Sequence, residues 1–129
     1  MKSYTDINQS KKLAEILPIE SADYHYIAQG EESYTYPYSL SSDAIKQYNG
    51  NIKYIPCWSL AALLEVLPYE IVLHKDESLI LGIYKVDFQY FINYNNTYNG
   101  EIYFETLLYD DFVDACYEMI IKLHEQKTL

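Results

Sequence analysis

The sequence is poor in the residues that most often announce a chemistry. Glycine occurs four times among 129 residues and never in a cluster, so no phosphate-cradling loop can be built from it. Cysteine occurs twice, as Cys57 and Cys116, and the three histidines, His25, His74 and His124, stand singly. No CxxC, HxxxH or HExxH spacing results, which leaves no metal motif. Two cysteines do not make a disulfide scaffold, and the segment "MKSYTDINQSKKLAEIL" has no apolar core followed by a small-residue cleavage site. Both features point to a reduced, cytoplasmic chain. Long apolar runs are missing too: the longest follows Trp58 and is far short of the ~20 residues that cross a bilayer. Positive charge is scarce. Nine basic residues face 19 acidic ones, a formal net charge of -10. Binding nucleic acid by counterion release needs a basic footprint that this chain lacks, and anionic membranes are disfavoured for the same reason. No cofactor is implied.

What is present builds a core. Half of the residues are apolar, enough for a single compact domain spanning 1–129. Tyrosine occurs sixteen times. It suits half-buried strands, and it also supplies large contact area at low entropic cost on binding surfaces.

The hydrophobic period changes along the chain. Asp6 caps a first helix with Gln9 three residues on, and Pro18 ends it. "DYHYI" and "SYTYPY" alternate as strands, with a turn at "AQGEES" between them; Pro37 makes the second an edge strand or an extended loop. "SSDAIKQYNG" reads as a short helix capped by Ser42, or as part of a hairpin around Asn49-Gly50. In "IPCWSLAALLEVLP" a buried helix starts either after an N-cap at Ser59, with Trp58 stapled over Leu63, or at Pro56. "YEIVLHK", "LILGIYKV", "FQYFINYN" and "EIYFETLL" follow as strands with short links, which predicts an antiparallel meander. A turn is expected at Asn99-Gly100. Behind a cap at Asp110 or Asp111, residues Phe112, Ala115, Cys116, Met119, Ile120 and Leu123 form one continuous helical face. The expected fold is α+β: a meander sheet of about four strands with two or three main helices packed on it.

Three groups could carry function. Cys57 at a helix N-terminus could be an activated nucleophile, but Ile55, Pro56 and Trp58 make its surroundings apolar, and it reads most economically as a small core residue. Asp111, Asp114 and Glu118 form an acidic stripe along the last helix, either a solvated face or a mimic of a phosphate backbone. Tyr24, Tyr26, Tyr34, Tyr36 and Tyr38 alternate within their runs, so each run presents its rings on one face. If the two runs pair, the rings form a cluster that serves either the core or a binding surface.

The blocks "LPIESADYHY", "PCWSLAALLEVLP" and "DACYEMIIKLHEQKTL" resemble a group of small proteins encoded in prophages and mobile elements of gut anaerobic bacteria. That group has no assigned activity, so no catalytic residue carries over. The resemblance implies a cytoplasmic accessory protein. The expected function is therefore non-enzymatic binding of another protein, of host or phage origin. The alternatives are an acidic nucleic-acid mimic that inhibits a host protein, and a small cysteine-dependent or carboxylate-dependent enzyme. The sequence leaves the oligomeric state open.

Overall fold

The computed structural model of the chain describes residues 2–29, 37–39, 52–74 and 76–129. Tyr34, Tyr36, the turn expected around Gly30 and the helix or hairpin expected at 42–50 lie outside the described residues. The chain forms two compact units, one of Ser3–Leu63 and the other of Met1–Lys2 with Leu64–Leu129.

In the unit Ser3–Leu63 the expected capping box forms. The Asp6 carboxylate accepts the Gln9 N–H at 2.8 Å and the Gln9 side chain accepts the Asp6 N–H at 3.1 Å. These bonds satisfy two orphan donors at the start of helix α1, Ile7–Ala14. A single 3₁₀ turn, Ile19–Ser21, follows Pro18. Strand β1, Tyr24–Gln29, is the centre of a three-stranded antiparallel sheet, flanked by β2, Pro37–Tyr38, and β3, Ile52–Cys57. Both prolines of this sheet, Pro37 and Pro56, sit on its outer strands, where a missing N–H breaks no ladder. Tyr26, Ile55 and Cys57 are buried together, with Tyr4, Ile7 and Tyr24 packed against them. Trp58 is fully buried, and its indole Nε1–H donates to Ser21 Oγ at 2.9 Å. The next helix, α2, Leu60–Val66, starts after Ser59, whose Oγ accepts the Ala62 N–H at 3.2 Å. Of the two starts read from the sequence, the Ser59 cap is the one that forms. Pro56 belongs to β3 instead.

The other unit is the expected meander. Strands β4, Glu70–His74; β5, Glu77–Val86; β6, Gln89–Asn96; and β7, Ile102–Glu105, pair antiparallel in sequence order. Val86 pairs with Gln89, so Asp87 and Phe88 alone make the β5–β6 turn, with Asp87 at φ 56°. Gly100, at φ 76°, closes the β6–β7 turn with its N–H on the Asn96 carbonyl at 2.8 Å, which is the turn expected at Asn99-Gly100. Helix α3, Phe112–Glu125, buries Ala115, Cys116, Met119, Ile120 and Leu123, as its period predicts, and Val113 with them. Asp111 occupies the N-cap position but makes no capping bond; its carboxylate accepts the Lys2 backbone N–H at 2.7 Å. The helix lies on the sheet face formed by Tyr90, Ile92 and Tyr94. The Phe112 and Tyr90 rings meet at 5.2 Å, and Ile92 and Tyr94 are fully buried. Tyr94 is anchored at its far end, where its hydroxyl donates to the Pro68 carbonyl at 2.6 Å. The α+β class holds, with a second, smaller sheet added.

Candidate interaction surface

Of the groups singled out in the sequence, Cys57 is the one drawn fully inward among the described residues. Cys57 is fully buried and lies within 3.6 Å of Thr5 Oγ1, to which Ser10 Oγ is also bonded at 2.8 Å. Burial pushes its thiol up, against the lowering effect of hydrogen bonds from Thr5 and Ser10. Cys57 pairs with Tyr24 across the sheet and His25 pairs with Pro56, so the cysteine and the histidine of this unit project from opposite faces. A thiol held neutral and turned away from that imidazole is not an activated nucleophile.

The tyrosines divide. Tyr26 is buried, and its hydroxyl donates to the Thr5 carbonyl at 2.8 Å; Tyr24 is half-buried against the Tyr4 ring at 6.1 Å. Tyr38, 44 % exposed, does not join them. The register sets it opposite His25 and sets Pro37 opposite Tyr26. That pairing puts Tyr38 on the other face of β1, because the side-chain period is two and one residue of register flips a face. The common tyrosine face expected from a paired hairpin is therefore absent for Tyr24, Tyr26 and Tyr38.

The acidic stripe is internally engaged. Lys2 Nζ lies 2.8 Å from Asp114, and the Lys2 N–H is held by Asp111. Glu118 accepts the Leu107 N–H at 2.9 Å and the Tyr109 hydroxyl at 3.0 Å, tying the β7–α3 loop to the helix. A phosphate-mimicking row would present these carboxylates outward instead.

Exposure is concentrated elsewhere, on the meander. Helix α3 packs against β6 and β7, toward one side of the sheet. On β4 and β5, large apolar side chains stay in solvent on both faces. Val72 (68 % exposed), Val86 (47 %) and Tyr84 (41 %) lie on the face away from the helix, and Ile83 (44 %) lies on the helix side. The middle of the open face is polar and tightly arranged. Asn93, nearly fully buried, donates from Nδ2 to Glu105 on β7, while Asn95 Nδ2 bonds both Asn93 Oδ1 and the Tyr84 hydroxyl. The Tyr84 and Phe91 rings stack at 4.8 Å across the β5–β6 pair. Tyr84 also folds back over Gly82: a methyl group there would stand 2.7 Å from both the ring and Asn93 Oδ1. The glycine is what lets the ring lie flat on the backbone.

Compared with protein-family models, with curated proteins and with solved structures, the chain matches none. The surface is therefore read on its own chemistry. Where β4 turns into β5 there is a depression of about 250 Å³, lined by Glu70, Val72, His74, Asp76, Glu77 and Ser78. His74 Nε2 stands 3.0 Å from Glu77. The chain contains no arginine, so no guanidinium fork for phosphate or carboxylate exists anywhere in it. Two signals in the sequence mark this region. A lone glycine inside the strand pattern "LILGIYKV" indicates a close approach, and the unbroken "IVL" of β4 is the pattern of a strand buried on both faces.

Proposed function

We propose that the chain is a non-enzymatic binding protein whose contact surface is the β4–β5 side of the four-stranded sheet. The observation that supports this reading is the exposure of Val72, Tyr84 and Val86 on one face and Ile83 on the other. Strands apolar on both sides are ordinarily internal, and large apolar side chains left in solvent along such a strand pair are candidates for partner contact. The charge favours a protein over nucleic acid or an anionic membrane, since -10 with no arginine repels polyanions. An accessory role in a phage or mobile element, exercised in the cytoplasm, is the setting this reading assumes.

The test is a pair of surface substitutions. Val72→Ser with Val86→Ser should leave the melting temperature within a few degrees, because surface changes away from packed features usually fall within about 0.5 kcal/mol each. The same variant should lose a partner that the wild-type chain retains on a column. Undiminished capture by this variant would sink the reading. So would capture lost instead on Cys57→Ala with the fold intact.

A further inference from the structure

We infer that the outer edge of β4 accepts an extended, cationic strand from a partner protein, which joins the sheet as a fifth strand. The inference rests on the binding-protein reading above and names the partner's chemistry.

The edge is built to be paired. Strand β4 reads Glu70-Ile71-Val72-Leu73-His74 and, among the described residues, lies at the end of the sheet order. Outer strands are usually blunted by an internal lysine or proline; here neither falls between Glu70 and His74. Val72 and Leu73 are exposed, and so is Tyr69 just before them. The backbone is oriented to match. The Tyr69 carbonyl accepts the Leu81 N–H at 3.0 Å, so Tyr69 faces β5, and alternation turns the N–H and C=O of Glu70 and Val72 outward. A register shift between Val72 and His74 ends the regular stretch, so the added strand is short and centres on Glu70 and Val72.

Charge selects the occupant. Alternate side chains of an added strand project onto the open face, on which Glu70 and Val72 help to line the depression of about 250 Å³. Among the described residues that line it are three acids, Glu70, Asp76 and Glu77, the last paired with His74. A lysine or arginine side chain from the new strand fits that chemistry. In strand addition, main-chain bonds supply affinity and such side-chain sites supply specificity. A second copy of this chain fits less well. Pairing β4 with itself would bring another Glu70 toward the same carboxylates and set -10 against -10.

A peptide of alternating valine and lysine, titrated into the full-length ¹⁵N-labelled chain at low salt, tests this directly. The expected result is chemical-shift change at Glu70 and Val72, with slowed amide exchange at both. An alternating valine–glutamate peptide should give neither. Glu70→Gln with Glu77→Gln keeps the strand and should weaken the lysine peptide about tenfold. Val72→Lys, which places a charge on the edge, should abolish binding. Equal binding of the two peptides, shifts confined to other strands, or no shift at millimolar peptide would overturn the inference. Concentration-dependent dimerisation removed by Val72→Lys would also overturn it, in favour of a second copy. If the peptide fails while Val72→Ser with Val86→Ser still loses the captured partner, strand addition falls and the binding-protein reading stands.

Discussion

Cys116 sits in the packed face of α3, and burial alone pushes its thiol up to about 12 from an ordinary 9.0. The sign of the consequence follows from linkage. The folded protein holds the neutral thiol, while an unfolded chain ionises it above pH 9. The stabilisation is thus complete below pH 9 and is lost as the pH climbs toward 12, at about 1.4 kcal/mol per pH unit. Cys57, also raised by burial from 9.0, adds to the loss above pH 9, and Tyr26 and Tyr94, raised from 10.0, add to it only above pH 10. Urea midpoints should hold steady from pH 7 to 8.5 and fall above 9, and Cys116→Ala should flatten the first part of that fall. A wild-type midpoint indifferent to pH 10 would contradict the burial. Both cysteines should alkylate slowly in the native state and fast in denaturant. Rapid native modification of Cys57 near neutral pH would restore the nucleophile reading. Trp58→Ala should cost about 3–5 kcal/mol, since it empties a fully buried site and leaves Ser21 without its indole donor.

Within single elements, the tightest constraint is Gly82 under Tyr84. Gly82→Ala should destabilise by about 1–3 kcal/mol, because the new methyl meets a ring that can swing away and an Asn93 that is buried and cannot. In a Tyr84→Ala background the same substitution should cost less, and equal costs in both backgrounds would show the ring uninvolved. This constraint was legible only as a glycine inside a strand pattern; which ring covers it depends on the cross-strand register. The same division runs through the fold. The Asp6–Gln9 box, the Ser59 cap, the Gly100 turn and the buried face of α3 are local, and local spacing reveals them. Strand β3 was hidden because Pro56 reads as a helix start until its edge position is known. The face of Tyr38 depends on a pairing with His25 thirteen positions away, and alternation within one run cannot supply it. The proposed contact surface was hidden for another reason: "EIVLH" reads as a strand from the sequence, but only the sheet order of the described residues places it at an edge.

For the molecule as a whole, charge is unevenly distributed. The unit holding the meander carries twelve acids against five lysines, so it accounts for -7 of the -10. That repulsion opposes association of the apolar side chains it exposes. Lowering the pH toward the isoelectric point near 4.5 removes it, and light scattering should then report self-association that Val72→Ser with Val86→Ser reduces. Scattering unchanged from pH 7 to 4.5 would mean that charge is not what keeps the chains apart. The contacts of Lys2 carry a different consequence, one of timing. Its N–H and its ammonium reach Asp111 and Asp114, 109 and 112 positions along the chain, with the whole of Ser3–Leu63 in between. On a ribosome adding about 5–20 residues per second, those carboxylates emerge on the order of ten seconds after Lys2. By then every residue of Ser3–Leu63 has already been made, so the clasp at Lys2 can close only after that unit's chain is complete.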